Sequence, residues 1–183
     1  MPDKIIIENC SPTLAGLKTG NLFRVRYECE QTIRREIREM DLKLRGKGLR
    51  VIPMCFSQTH VLLYIYRPAL LRRDLNEETT QTVLKKLGYA CQVPENDVAR
   101  LAKKIRQSET FPHEIGFFLG YPPEDVIGFM EHKNEGVKCA GLWKVYGDEA
   151  KARHLFALYR KCTSVYETLW KQGHSIDQLT VKI

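Results

Sequence analysis

The sequence predicts an α+β protein: a small antiparallel sheet of three to five strands packed with several helices in a single domain, residues 1–183. Three observations carry that class. Two short segments, Leu49 to Phe56 and Val61 to Arg67, are dense in β-branched, aromatic and large apolar residues. Two long segments repeat apolar residues at helical spacing. The whole is 183 residues, 43% apolar and 28% charged, with no linker or low-complexity tract, which suits one well-cored domain and is short for two.

Taken in order, Ser11-Pro12-Thr13 reads as a helix start, with Ser as cap and Pro at the first helical position. Gly16 and Gly20 keep that helix short, and Asn21 to Tyr27 follows as a strand. From Glu28 to Arg45, Cys29, Ile33, Ile37, Met40 and Leu44 form one stripe, so a helix is expected there, ended by Gly46 and Gly48. The two apolar segments come next. Ser57 to His60 between them suits a hairpin loop, and because both strands are apolar on both faces, helices should cover the pair on each side.

Leu87-Gly88-Tyr89 and Leu119-Gly120-Tyr121 then repeat one pattern: a helix, a glycine stop, and Pro with acids opening the next helix. Two matches make punctuation rather than a solenoid. Lys138 to Tyr146 alternates as a strand with Cys139, Trp143 and Val145 on one face. Gly147-Asp148 precedes a long helix, about Glu149 to Gln172. It carries a Leu155, Leu158, Cys162, Val165, Leu169 stripe beside a second of Phe156, Tyr159, Tyr166 and Trp170. Ile176 to Ile183 is expected as an edge strand or a docked tail.

Composition narrows the function classes. The longest apolar run, Val61 to Tyr66, is far short of the roughly 20 residues of a membrane helix. The N-terminus turns acidic too soon for a signal peptide, so a cytoplasmic location is expected, with no membrane association. The six cysteines are then expected as free thiols. A net charge of +7 could suit a polyanion, yet the basic residues are interleaved with acids, as in Arg34-Arg35-Glu36. No nucleic-acid-binding motif is present, and a solvated helix face accounts for the pattern.

Four residues are candidates for chemistry. Cys10 precedes the expected helix start, where the dipole and free N–H groups can lower a thiol's pKa. His113 and Glu114 could supply a base and its orienting carboxylate, although neighbours on a helix diverge by about 100° and a plain helix-start pair explains them as well. Asp125 is a second possible orienter, and Glu124-Asp125 are first of all acids at a helix start. Cys29 and Cys162 fall on apolar stripes, Cys55 and Cys139 on strands, and burial is expected for all four. No metal-ligand spacing links the five histidines to the cysteines, and no metal site is assigned. Gly16-Leu17-Lys18-Thr19 lacks the spacing of a phosphate-binding loop.

Three ordered strings, CSPTLAGLKTGNLF (Cys10 to Phe23), HEIGFFLGYPPEDVIGF (His113 to Phe129) and GLWKVYGD (Gly141 to Asp148), together resemble a bacterial family of unknown function, found mostly in anaerobic Firmicutes. The resemblance spans nearly the whole chain. It implies a bacterial cytosolic protein and a link to iron or flavodoxin physiology, and it carries no activity. Two readings follow. The first is a thiol-dependent enzyme or redox relay, with Cys10 as nucleophile or redox thiol, His113 as base and Glu114 or Asp125 as orienter. The second is a non-catalytic binding module for a metal, a cofactor or an acidic partner such as flavodoxin. Exposure of Cys10 in a cleft favours the first, and burial among aliphatics the second.

Overall fold

In the computed structural model, which describes residues 3–183, the chain begins with a helix, α1 (Asp3–Leu14). This corrects the start expected at Ser11. Ile6, Ile7, Cys10 and Leu14 bury one face of that helix, and this burial carries it straight through Pro12. Pro12 lacks the N–H that would bond to Glu8, and the helix ends two residues later.

Strand β1 (Gly20–Arg26), helix α2 (Glu30–Arg45) and strands β2 (Arg50–Phe56) and β3 (His60–Tyr66) complete the first half. The sheet order is β1-β3-β2, antiparallel throughout, with Gly20 opposite Tyr66 and Arg50 opposite the same residue from the other side. β3 is therefore central, and from Val61 to Tyr66 all but Leu62 are buried. Pro53 sits in the edge strand β2, where the register slips between Pro53 and Cys55, the position a strand proline tolerates.

Helices cover both faces of the sheet, as the doubly apolar strands require. On one face Val25, Val51, Leu63 and Ile65 pack with α1 and the stripe Ile33, Ile37, Met40 and Leu44 of α2. On the other, Met54, Tyr64 and Tyr66 pack with a helical layer: α3 (Pro68–Leu75), α4 (Glu78–Lys86), α5 (Pro94–Gln107), the short α6 (Ile115–Phe118) and α7 (Pro123–His132). Gly88 and Gly120, the two expected helix stops, take positive φ of 84° and 73°.

The expected strand over Lys138 to Tyr146 is instead a hairpin of two short strands, β4 (Cys139–Ala140) and β5 (Lys144–Val145). A Cβ on Gly141 would lie 2.4 Å from the Phe156 ring, so the turn rests directly on the helix below it. That helix, α8 (Glu149–Lys171), starts on Asp148, whose side chain accepts from the Lys151 N–H. Of its two stripes, Phe156 and Tyr159 are buried, while Leu158 and Val165 stay exposed.

The tail docks. A capping box between Ser175 and Gln178 opens α9 (Ile176–Leu179), and the Val181 N–H donates to the Leu14 carbonyl. Arg67, 1% exposed, donates to the carbonyls of Thr13, Leu14 and Val181, tying the end of β3 to the end of α1 and to the tail. Among the described residues no helix is long and apolar enough to cross a membrane.

Candidate functional site

Four pieces of chain meet at Tyr121. Gly120 turns the chain after α6, and Tyr121 emerges just before Pro122 and Pro123 open α7. The β4–β5 hairpin supplies Trp143, whose indole stacks on the Tyr121 ring at 4.6 Å and 24°. Phe156 of α8 meets the same indole edge-on at 4.5 Å. The turn after α1 supplies Lys18, whose Nζ lies 5.3 Å from the Tyr121 ring centroid. Burial, with Tyr159 close by, pushes the Tyr121 hydroxyl up to about 12, so it stays protonated at neutral pH.

Asp125 holds the hairpin in place. Its carboxylate, 3% exposed, accepts from Trp143 Nε1 at 2.7 Å and from the backbone N–H groups of Tyr146 at 2.7 Å and Gly147 at 2.8 Å. Three donors converging on one buried carboxylate fix the indole relative to α7. Gly128 completes the seat, because a Cβ there would meet the Tyr146 ring at 2.4 Å. The Tyr146 hydroxyl closes the loop by donating to the Lys133 carbonyl.

Two cavities share this scaffold. The smaller, about 290 Å³, is walled by Tyr121, Trp143 and Phe129, with His113 and Lys144 at its edge. The His113 ring stands edge-on to Phe129 at 4.9 Å, and Lys144 Nζ lies 5.3 Å from the same ring. The larger, about 480 Å³, runs between α1 and α8 and is lined by Lys18, Asn21, Tyr159 and Arg160, with Glu8 and Glu167 also present. Tyr121 and Leu142 line both, so the two are adjoining lobes of one cleft. Leu142 is 46% exposed, an uncovered apolar side chain at the hairpin tip.

Lys18 is the unusual charge in it. Only 7% exposed, its ammonium donates to the Gly20 carbonyl at 2.8 Å and has no carboxylate partner among the described residues. Burial lowers its pKa to about 8, with the neighbouring Cys10 acting weakly the other way.

Of the four residues expected from sequence, the structure brings two into one cavity, His113 and Asp125. Glu114 points elsewhere. It is 6% exposed and paired with Lys104 Nζ at 2.7 Å and the Tyr89 hydroxyl at 3.1 Å, which locks the turn before α6 onto α5. Asp125 is saturated by its three donors and acts as a positioning residue. Cys10 does not stand at a helix start: it lies inside α1, 0% exposed, among Ile6, Ile7 and Leu14. Burial pushes its thiol far above the usual range, only partly offset by Lys18.

The helix-start thiol is a different one. Cys29, expected on a buried stripe, is the exposed N-cap residue of α2. The Thr32 hydroxyl and the N–H groups of Thr32 and Gln31 hold its pKa below the ordinary thiol value. Among the described residues no three His, Cys, Asp or Glu side chains converge as metal ligands.

Sequence reasoning passed over Lys18, Tyr121 and Trp143 as site residues. The signal for Lys18 was a lone cation between a buried helix and a buried strand. Tyr121 read as part of a helix-stop pattern, and Trp143 as one face of an expected strand. Comparison with curated proteins and with solved structures returns no match. The family described as "Protein of unknown function (DUF3793)" matches over residues 6–180, which include all four pieces of the cleft, and the chain belongs to that family.

Proposed function

We propose that the chain is a binding module for a small planar anionic ligand of cofactor type, held in the cleft around Tyr121. The observation that supports this best is the buried, carboxylate-free ammonium of Lys18 beside an aromatic wall of Tyr121 and Trp143. A buried cation without a counter-charge is costly, and an anionic group entering the cleft would offset that cost. Tyr121, Trp143 and Phe129 give the cavity an apolar lining for the body of such a ligand. Lys144 adds a cation to the lining of the smaller lobe.

The thiol reading draws less support. A thiol raised by full burial supplies little thiolate at neutral pH. The form of the binding reading that uses an acidic protein such as flavodoxin rests on the net charge of +7. Several of those cations are already paired along helices, as in Arg34–Glu30 and Arg153–Glu149, so they define no patch.

The test is a fluorescence titration with 1-anilinonaphthalene-8-sulfonate, an aromatic sulfonate with a flat naphthalene ring, on the Trp170→Phe protein, which leaves Trp143 as its one indole. Saturable one-site quenching is expected, weakened about tenfold by Tyr121→Ala through loss of the side chain that lines both lobes. Binding that ignores both Tyr121 and Trp143 would remove the proposal.

A further inference from the structure

The amine that makes this cleft costly also equips it for covalent chemistry. Lys18 follows α1 on a tight turn in which the N–H groups of Leu17 and Lys18 both donate to the Pro12 carbonyl, so the side chain leaves a fixed point of backbone. Its Nζ makes one hydrogen bond, to the Gly20 carbonyl, and nothing among the described residues donates to it. Next to it, the Tyr159 hydroxyl, on the facing side of the larger lobe, donates to the Leu17 carbonyl at 3.3 Å. Arg160 lines the same lobe, with Nε on the Phe156 carbonyl and no carboxylate paired to it among the described residues.

We propose that Lys18 is a carbonyl-capture residue: its neutral amine condenses with the ketone or aldehyde carbon of a small 2-oxo acid, whose carboxylate pairs with Arg160. This rests on reading the cleft as a ligand site, and it names the ligand class. The Nζ lone pair forms the new C–N bond as the carbonyl π bond breaks, giving a carbinolamine. The C–O bond then breaks, and the carbonyl oxygen leaves as water carrying the two amine hydrogens. The product is an imine, and no oxidant or reductant is required.

The surroundings favour each stage. At about pH 8 half of Lys18 is already neutral, whereas an exposed lysine near 10.4 is almost wholly protonated. The charged and titratable groups that face it are Cys10 in α1, Tyr121 ahead of α7, and Tyr159 of α8; Arg160, Glu8 and Glu167 line the same lobe. Burial keeps Tyr121 protonated, so its hydroxyl can donate to the departing oxygen, while the Tyr159 hydroxyl stays on the Leu17 carbonyl. Low water access around a side chain only 7% exposed slows hydrolysis of the imine once formed.

The experiment incubates the full chain at about pH 8 with pyruvate or glyoxylate and sodium cyanoborohydride, which reduces an imine to a stable secondary amine, and maps the adducts by peptide mass spectrometry. The expected result is modification of Lys18 on the order of tenfold or more above exposed lysines such as Lys151, following its larger neutral fraction. Lys18→Arg should keep the fold, read by far-ultraviolet dichroism, while losing the adduct. Should that variant fail to fold, adduct position in the unaltered chain decides alone. Adducts spread over surface lysines with Lys18 unmodified, while the sulfonate still quenches Trp143, would overturn the capture role and leave the cleft reading standing. Absence of both would overturn the two together.

Discussion

Replacing Asp125 tests how the cleft is built. Its carboxylate accepts three hydrogen bonds, from Trp143 Nε1 and the N–H groups of Tyr146 and Gly147, and is 3% exposed. Hydrogen bonds to a charged group contribute about 1.5–3 kcal/mol each, so Asp125→Ala forfeits about 4.5–9 kcal/mol if the hairpin stays seated. It need not stay seated, because β4–β5 is a surface element that can open and hydrate its freed donors at lower cost. We therefore expect a global loss of about 3 kcal/mol by urea unfolding, with loss of the near-ultraviolet signal of Trp143 well before the backbone unfolds. Asp125→Asn separates the partners. One amide oxygen can still serve Tyr146 and Gly147, but the amide NH₂ then faces the indole N–H, donor against donor, for a loss of about 1–2 kcal/mol. An Asp125→Ala protein with unchanged near-ultraviolet dichroism and a loss under about 0.5 kcal/mol would refute the positioning role.

Three further outcomes are expected. In alkylation across pH, Cys29 should react first and with a midpoint below that of an ordinary thiol, while Cys10 reacts only on unfolding; early labelling of Cys10 would contradict its burial in α1. Lys18 has a pKa of about 8 when folded against 10.5 as its reference value, so the unfolded chain binds more protons in that window. Its contribution of about 3 kcal/mol is present above the higher value and lost as pH falls through the lower one; Lys18→Met should lack this rise on the alkaline side, and equal pH slopes would count against the shift. Arg67→Met should remove the Arg67 donor from the Val181 carbonyl and one of two donors from the carbonyls of Thr13 and Leu14, which keep the N–H groups of Gly16 and Val181, costing about 2 kcal/mol and raising amide exchange in the 176–183 tail; an unaffected tail would refute the clamp.

Periodicity made the main frame legible. The stripe Ile33, Ile37, Met40, Leu44 and the doubly apolar strands of the central hairpin located α2, β2, β3 and the two-sided helical cover. Local rules misplaced what tertiary burial decides. Ser11-Pro12 has the chemistry of a helix start, yet Ile6 and Ile7 ahead of it bury deeply enough for the helix to run through the proline. That single shift of boundary moved Cys10 from a dipole-activated terminus to a sealed interior. The same ambiguity of about one residue put Cys29 on a stripe when it is the cap.

The site was legible only in part. His113 and Asp125 come together, but the pairing of Glu114 with Lys104 is a long-range match that spacing cannot show. Lys18 was hidden for a related reason. Whether a lysine between a helix and a strand reaches solvent depends on what lies over it, and here that is Tyr121, more than a hundred residues further along.

The most direct measurement is a chemical-shift map of the labelled protein titrated with 1-anilinonaphthalene-8-sulfonate. A ligand seated in the cleft moves the Trp143 indole N–H and the amides of Gly116, Tyr121, Leu142 and Lys144, together with the Lys18 side chain. Shifts gathered along the exposed Leu158 and Val165 side of α8, with Trp143 and Lys18 unmoved, would contradict it.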